Sequence, residues 1–430
     1  MARYLKQGRP HITEVDETVC ETASRIITDV AHRGDSAVRE YSTRFDDWNP
    51  RSFRLEPDQI DSLCDRVAPD LSEHIHFAAE QVRGFAQAQF NSILPLEIEV
   101  GDGIVLGHRL VPVGSVGAYI PGGRYQLISS ALMSVLTAKV AGVPRVVACI
   151  GPAHGTGPNP ATVYAARLAG ADDIYCIGGV QALAAMAFGA LPGLSSVDVL
   201  VGAGNVFVAD AKRQLFGRVG IDLLAGPTEI LVIADETPRP RVVAIDLASQ
   251  AEHGPTSPAM LVTTSERLGD AVLLEMDDVL SSLPTQDVAR RAWDEFGSIV
   301  VVSSREEAIA ISDEFAPEHL ELQVTEPDWY HDRLTNYGSL FIGEWTTVTF
   351  GDKASGTNHT LPTQGGARYT GGLFVGKFLK TLTYQTMTRE GALKVARASA
   401  AISRAEGLIG HARAAEIRFD LEEFPRCPDR

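Results

Sequence analysis

Arg145-Val146-Val147-Ala148-Cys149-Ile150 is a short β-branched, apolar run of the kind that forms a strand buried on both faces. Asp173-Ile174-Tyr175-Cys176-Ile177, Val197-Asp198-Val199-Leu200-Val201 and Glu229-Ile230-Leu231-Val232-Ile233 repeat the pattern at intervals of roughly 25 to 30 residues, with helical periodicity between them. That rhythm predicts βαβ units and a parallel sheet beginning near residue 112. A second series follows: Ala259-Met260-Leu261-Val262-Thr263, Ser298-Ile299-Val300-Val301-Val302, Leu320 to Val324, and Ser339-Leu340-Phe341-Ile342-Gly343. The expected fold is therefore α/β, with two Rossmann-like α/β lobes and helical N- and C-terminal extensions.

The first 110 residues read mostly as helix, with Glu80 to Asn91 amphipathic. From Thr388 onward a helical pattern carries an apolar stripe of Leu393, Ala396, Ala400, Ile402, Leu408 and Ile409 that no sheet covers. Docking on a second subunit is the expectation; packing on the same chain is the alternative. The expected organisation is an N-terminal helical extension (1–25), a metal-binding and catalytic lobe (26–120 plus 230–372), a cofactor lobe (121–229) and a helical tail (373–430) that packs on the partner of an intertwined homodimer.

At 430 residues and 45% apolar, the chain has material for more than one core. Its net charge of −17 repels phosphate backbones and argues against a nucleic-acid partner. The N-terminus lacks the apolar run of a signal peptide, and no 18 consecutive apolar residues occur, so no membrane span and a cytoplasmic location are expected. Five scattered cysteines (Cys20, Cys64, Cys149, Cys176 and Cys427) fit a reducing compartment and argue against a thiolate zinc site. Cys149 and Cys176 lie within strands and read as core.

Three segments carry chemistry: Ser249-Gln250-Ala251-Glu252-His253-Gly254-Pro255, Ala316-Pro317-Glu318-His319-Leu320, and the Gly-rich loop Gly351-Asp352-Lys353-Ala354-Ser355-Gly356-Thr357-Asn358-His359. Gln250 and His253, three apart in a predicted helix (Val242 to His253), project from one face and can share a ligand; alternatively His253 caps the helix end. With Asp352 they form an amide, carboxylate and imidazole set suited to Zn²⁺ or a similar cation. Glu318 and His319 are adjacent, so their side chains diverge and can serve two protons, one as general base and one as activator of water. A surface glutamate beside a core histidine is the other reading. Gly202-Ala203-Gly204-Asn205-Val206-Phe207 follows a strand and opens a helix; it is either a cofactor-binding turn lacking the third glycine or a plain tight turn, and Asp222 stands at the spacing of a ribose-binding acid.

SQAEHGP, PEHL, the GD-x-x-x-G-x-NH-x-LPT run, YIPGG at Tyr119 to Gly123, GG-x-QA at Gly178 to Ala182 and AGPTE at Ala225 to Glu229 occur in order along most of the chain and together resemble the histidinol dehydrogenase family. The resemblance implies a homodimeric zinc enzyme that oxidises a primary alcohol to a carboxylate in two NAD-dependent hydride steps. It implies one Zn²⁺ per subunit on Gln250, His253 and Asp352, with His411 supplied by the neighbouring subunit. It implies His319 as the base for the alcohol and Glu318 as the activator of water. Tyr119, Gln181 and Asn205 are implied for the NAD site. Thr228, His359 and Glu406 are implied for substrate, together with the ligands and His319.

The chain departs from the histidinol pattern at Thr228 (commonly Ser), Lys353 (commonly aromatic) and Ala203 (commonly Pro), and it adds Arg124, Lys377 and Lys380. Extra cations repel cationic histidinol and attract an anion. The pattern is similar to a paralogous branch that oxidises (R)-2,3-dihydroxypropane-1-sulfonate to sulfolactate, so a small anionic alcohol is the expected substrate, with Arg124 as a candidate contact. The lysines could instead be solvated. L-Histidinol, or an ordinary two-electron alcohol oxidation, is the alternative.

Overall fold

The computed structural model describes residues 2–9, 16–123, 125–153 and 155–419. The chain divides into two compact units, one made of residues up to Phe90 together with Val113–Phe378, the other of Asn91–Pro112 and the residues from Leu379 on. Fourteen strands occur among the described residues: β1 (Arg3–Lys6), β2 (Leu96–Gly101), β3 (Ile104–Pro112), β4 (Ser115–Ile120), β5 (Arg145–Ile150), β6 (Asp173–Cys176), β7 (Val199–Val201), β8 (Gly220–Ile221), β9 (Ile230–Ala234), β10 (Ala259–Thr263), β11 (Ser298–Val301), β12 (His319–Gln323), β13 (Ser339–Ile342) and β14 (Leu379–Met387).

In the larger unit two sheets carry the expected α/β pattern. One runs β6-β5-β4-β7-β8, all parallel. The other runs β1-β11-β10-β9-β12-β13, parallel except for β1 at its edge. Helices cover these strands, which is why β4 and β9 are buried at every residue.

Several boundaries differ from the sequence reading. β4 is hydrogen-bonded between β5 and β7, and the helices Glu17–Arg33 and Asp35–Asp46 bury Ala23, Ile26, Val30 and Tyr41 in the same core as Tyr175 and Leu183. Ala23 of the 1–25 extension and Ile26, Val30 and Tyr41 of the 26–120 stretch therefore pack with the five-stranded lobe, because the core their apolar faces fill belongs to β4–β8. Within the 1–25 extension expected to be helical, Arg3–Lys6 is a strand on β11. Leu96–Pro112, expected as helix, forms β2 and β3 with a short-range reversal at Asp102-Gly103. Helical periodicity did not reveal these short alternating segments.

The smaller unit is an antiparallel sheet, β14-β3-β2, with the helices Arg389–Ala405 and Ile409–Glu416. The expected helical tail thus starts with a strand, Leu379–Met387, paired along β3. On the tail, Ala396 and Ala400 are buried as the stripe predicts, whereas Ile402 and Leu408 stay 59% and 46% exposed. Among the described residues no helix is long and apolar enough to cross a membrane.

Candidate active site

The larger unit brings the three chemical segments together at one edge of the six-stranded sheet. Ala316, in the left-handed region at φ 51°, ends the helix Arg305–Phe315, and Pro317 prevents its continuation, so Glu318 directly precedes β12 and His319 is its first residue. In register, His319 stands beside Ile230 at the start of β9 and Ser339 at the start of β13. The chemistry therefore gathers at the amino ends of parallel strands.

Both side chains of the pair are buried. Glu318 Oε2 accepts from Thr228 Oγ1 at 2.5 Å and from the Glu229 amide at 3.0 Å. Burial, partly opposed by His319 and these donors, pushes its carboxyl up to about 7. His319 Nδ1 donates to the Glu229 carbonyl at 3.0 Å, which turns Nε2 toward the site as the ring's remaining nitrogen. Nε2 lies 3.5 Å from Asp352 Oδ1, too far for a formed hydrogen bond, and it is otherwise buried without a partner. Burial pulls His319 down, but the Glu318 carboxylate and Asp352 outweigh it and raise the ring to about 9. The two side chains diverge less than expected of neighbours: Glu318 Oε2 turns to Thr228 yet lies 3.5 Å from His319 Nδ1, while Nε2 on the far side of the ring faces Asp352.

Gln250 is buried at the end of the helix Pro240–Ala251, where its amide donates to Thr228 Oγ1 and lies 3.4 Å from His319 Nδ1. The helix stops two residues short of His253, so that ring is held in the following turn rather than on the predicted helix. Tyr125 orients it edge-on at 6.4 Å while donating to the Glu252 carbonyl. Burial keeps His253 below its usual range, neutral and with a lone pair to offer. Asp352 lies in the short helix Val348–Lys353 rather than in open loop. Burial raises its carboxyl, but His319, His359 and Lys353 prevail and hold it well below the usual carboxylate range. His359 donates from Nδ1 to the Asp352 carbonyl at 2.9 Å and accepts at Nε2 from Ser130 Oγ at 2.8 Å. Both its nitrogens are thus engaged inside the protein, one of them holding the Asp352 backbone.

Among the described residues no three His, Cys, Asp or Glu side chains gather as a self-sufficient metal centre. What this chain does assemble is an ionised carboxylate, an amide and a neutral imidazole, the right chemistry for an incomplete N/O site that needs a further donor. Glu406 and His411 are exposed on the smaller unit. Arg124 lies outside the described residues.

A groove of about 760 Å³ begins beside this cluster, with Thr228 and His253 on its wall, and includes Tyr119, Gln181 and Asn205. It opens at the carboxyl ends of β4, β5, β6 and β7, where glycine-bearing turns approach closely; a Cβ on Gly202 (φ 118°) would stand 2.2 Å from the Tyr119 carbonyl. The polar side chains of this groove are held from behind. The Tyr119 hydroxyl accepts from the Gly179 amide at 3.2 Å, Gln181 donates to Asp46 at 3.2 Å, and Asn205 Oδ1 caps the helix Val206–Leu215 at 3.1 Å. Asp222, placed by spacing as a ribose acid, is instead sealed under the turn: it accepts from the Gly202 amide at 2.8 Å and pairs with buried Lys212, which also donates to the Gly202 carbonyl. It shapes the turn and cannot reach a ligand. Cys149 and Cys176 are buried, and burial pushes both thiols far up, as expected for core residues.

Sequence reasoning missed Ser130, Glu229, Asp246 and Glu321. Glu229 and Glu321 had a signal, an acid inside or beside a wholly apolar strand, which is costly unless it is partnered.

The sequence profile described as Histidinol dehydrogenase matches residues 10–419. A histidinol dehydrogenase homolog of Shouchella clausii is 50% identical over 97% of this chain and 99% of the relative, and a sulfopropanediol 3-dehydrogenase of Ruegeria pomeroyi is 48% identical over 98% and 97%. The crystal structure of histidinol dehydrogenase from Elizabethkingia anophelis superposes with a TM-score of 0.89 at 35% identity, covering 95% of this chain and 94% of that one. The chain belongs to the histidinol dehydrogenase family and is an oxidoreductase of that family, whose members are in general NAD-dependent and zinc-binding.

Proposed function

We propose that this protein oxidises a small primary alcohol to a carboxylate in two NAD-dependent hydride transfers, with the aldehyde kept bound between them. The observation that carries this reading is His319: oriented through Nδ1, buried, and with Nε2 unpartnered beside Asp352, it is placed to exchange a proton with a substrate hydroxyl. The balance is one alcohol, one water and two NAD⁺ giving one carboxylate, two NADH and three protons. In the first step Nε2 of His319 takes the hydroxyl proton as hydride leaves carbon. In the second, Glu318 takes a proton from the water that adds to the aldehyde, and hydride leaves the hydrate.

Gln250, His253 and Asp352 would hold a zinc ion, with His411 of a second copy as the further donor. When bound, that ion supplies Lewis acidity toward the alcohol oxygen and a positive charge that offsets Asp352, lowering His319 toward base strength. The groove bearing Tyr119, Gln181 and Asn205 would seat NAD on glycine-bearing turns, in the manner of Rossmann-like lobes. Support for a dimer comes from the smaller unit, where Leu96, Ile98 and Val100 on β2 and Leu382 on β14 are between 45% and 53% exposed.

For the substrate we favour (R)-2,3-dihydroxypropane-1-sulfonate, giving sulfolactate. Lys353 Nζ lies 4.0 Å from Asp352 Oδ2, and its charge reaches His253 and His359; a cation beside the proposed metal ligands supports an anionic substrate. The other cations raised by the sequence bear on this less. Lys377 donates to Thr370 Oγ1 at 2.9 Å, and Lys380 lies exposed on β14 in the smaller unit. The test is catalytic efficiency on dihydroxypropanesulfonate and on histidinol, with NADH counted per alcohol, for the wild type, Lys353→Ala and Arg124→Ala. Sulfonate preference, two NADH, and a rise in KM of about tenfold in Lys353→Ala support the reading. Preference for histidinol, or one NADH per alcohol, rejects it.

Glu318 gives a pH prediction. Its base form is lost as pH falls through about 7, so the rate of bound-aldehyde oxidation should rise with pH across that region. Glu318→Gln should flatten this rise and slow the second oxidation more than the first, visible as aldehyde captured by a trapping amine. Equal slowing of both steps would reject the water-activating role.

A further inference from the structure

A second acidic pair lies in the lobe that carries Glu318 and His319. Asp246 sits four residues before Gln250 on the helix Pro240–Ala251, and Glu321 two residues after His319 on β12, so each shares a face of its element with a residue of the site. They are 8% and 0% exposed. Asp246 Oδ1 accepts from Thr347 Oγ1 at 2.9 Å, and Glu321 Oε1 accepts from the Val348 amide at 3.0 Å. Thr347 and Val348 form the N-terminal turn of the helix that carries Asp352. The pair thus ties together the three elements that deliver Gln250, His319 and Asp352.

The remaining oxygens, Asp246 Oδ2 and Glu321 Oε2, are buried and find no donor if both groups are ionised. Each carboxyl acts on the other across the gap between the helix and β12, and Gln323 follows Glu321 on the same strand face. A single proton between them removes the repulsion and supplies the missing donor. Burial first, and then Asp246, push Glu321 up to about 8, and burial raises Asp246 as well, which is consistent with a retained proton.

We propose that Asp246 and Glu321 are positioning residues: a carboxyl pair sharing one proton that sets the spacing of Gln250, His319 and Asp352. An apolar pair could fill the same space, yet it could not hold the Thr347 hydroxyl and the Val348 amide, and the Asp352 helix would lose its anchor. The inference rests on the metal and base roles proposed above for those three residues.

The test compares Glu321→Gln, whose amide can donate to an Asp246 carboxylate without a titrating proton, with Glu321→Leu, which fills the space and donates nothing. Zinc affinity is read by competition with a chromophoric chelator, folding by thermal unfolding, and kcat separately from the KM for NAD. Glu321→Gln should stay within about threefold of wild type in zinc affinity and kcat. Glu321→Leu should fold, keep its KM for NAD, and lose about tenfold or more in both zinc affinity and kcat, as loss of a ligand-supporting group typically does. A folded Glu321→Leu within about twofold of wild type overturns the proposal, and so does a Glu321→Gln as impaired as Glu321→Leu. If Glu321→Leu does not fold, Asp246→Ala removes the pair from the helix side and is judged by the same criteria. The wild type is titrated first: absence of tight zinc binding there overturns the metal reading alone, and the pair is then judged on kcat.

Discussion

His319→Ala should lower turnover by about 10²–10⁴-fold, the range a positioned general base typically contributes, while zinc content and unfolding temperature stay near wild type. The expectation follows from where the ring's hydrogen bonds go. Nε2 has no partner to lose, so truncation costs the single Nδ1 bond to the Glu229 carbonyl and a small buried cavity, while the sheet and helices that frame the site keep their own cores. The donor set of Gln250, His253 and Asp352 is untouched by the change. Single-turnover measurement of the first hydride transfer, with metal analysis of the same sample, checks both halves. A rate within about fivefold of wild type would remove His319 from the mechanism.

Mixing His411→Ala subunits with His319→Ala subunits should restore activity that neither variant has alone. The tail residues Glu406 and His411 are exposed on the smaller unit, whose sheet also exposes apolar residues, as expected of a surface made to be covered by another copy. If each site takes His411 from the partner, a mixed dimer carries both lesions in one site and neither in the other. Random exchange at equal amounts then gives mixed dimers as half the population and recovery of about a quarter of wild-type activity. Verified mixed dimers that stay at the level of the parents would reject a cross-subunit ligand.

Much of this site was legible because its chemistry is local in sequence. Glu318 and His319 are neighbours, Gln250 and His253 three apart, and Asp352 lies within a distinctive Gly-rich segment, so residue type and spacing were enough to nominate them. The supporting residues were harder to see. Ser130 belongs to a helix more than two hundred positions from His359, and nothing in its own neighbourhood marks it. Asp222 shows the opposite failure: its spacing after the Gly202 turn suited a ribose contact, but buried Lys212 claims its carboxylate. Spacing reports distance along the chain, whereas an ion pair is decided by which side chains burial forces together.

The strands β5 to β7 and β9 to β13 were determined locally, since continuous β-branched runs separated by helical periods have few alternatives to a parallel, helix-covered sheet, whereas the antiparallel β1, β2, β3 and β14 lack such runs and were not. Which lobe each segment joined was not. The helix Glu17–Arg33 and β4 pack with the five-stranded sheet because the core there needs their apolar faces, a requirement written in distant residues such as Tyr175 and Leu183. Only the tertiary structure decided that the Glu318–His319 cluster stands at the amino ends of one sheet while the glycine turns stand at the carboxyl ends of the other. Local sequence encodes the direction of each strand, but the way two sheets face each other depends on packing between cores, which no single segment carries.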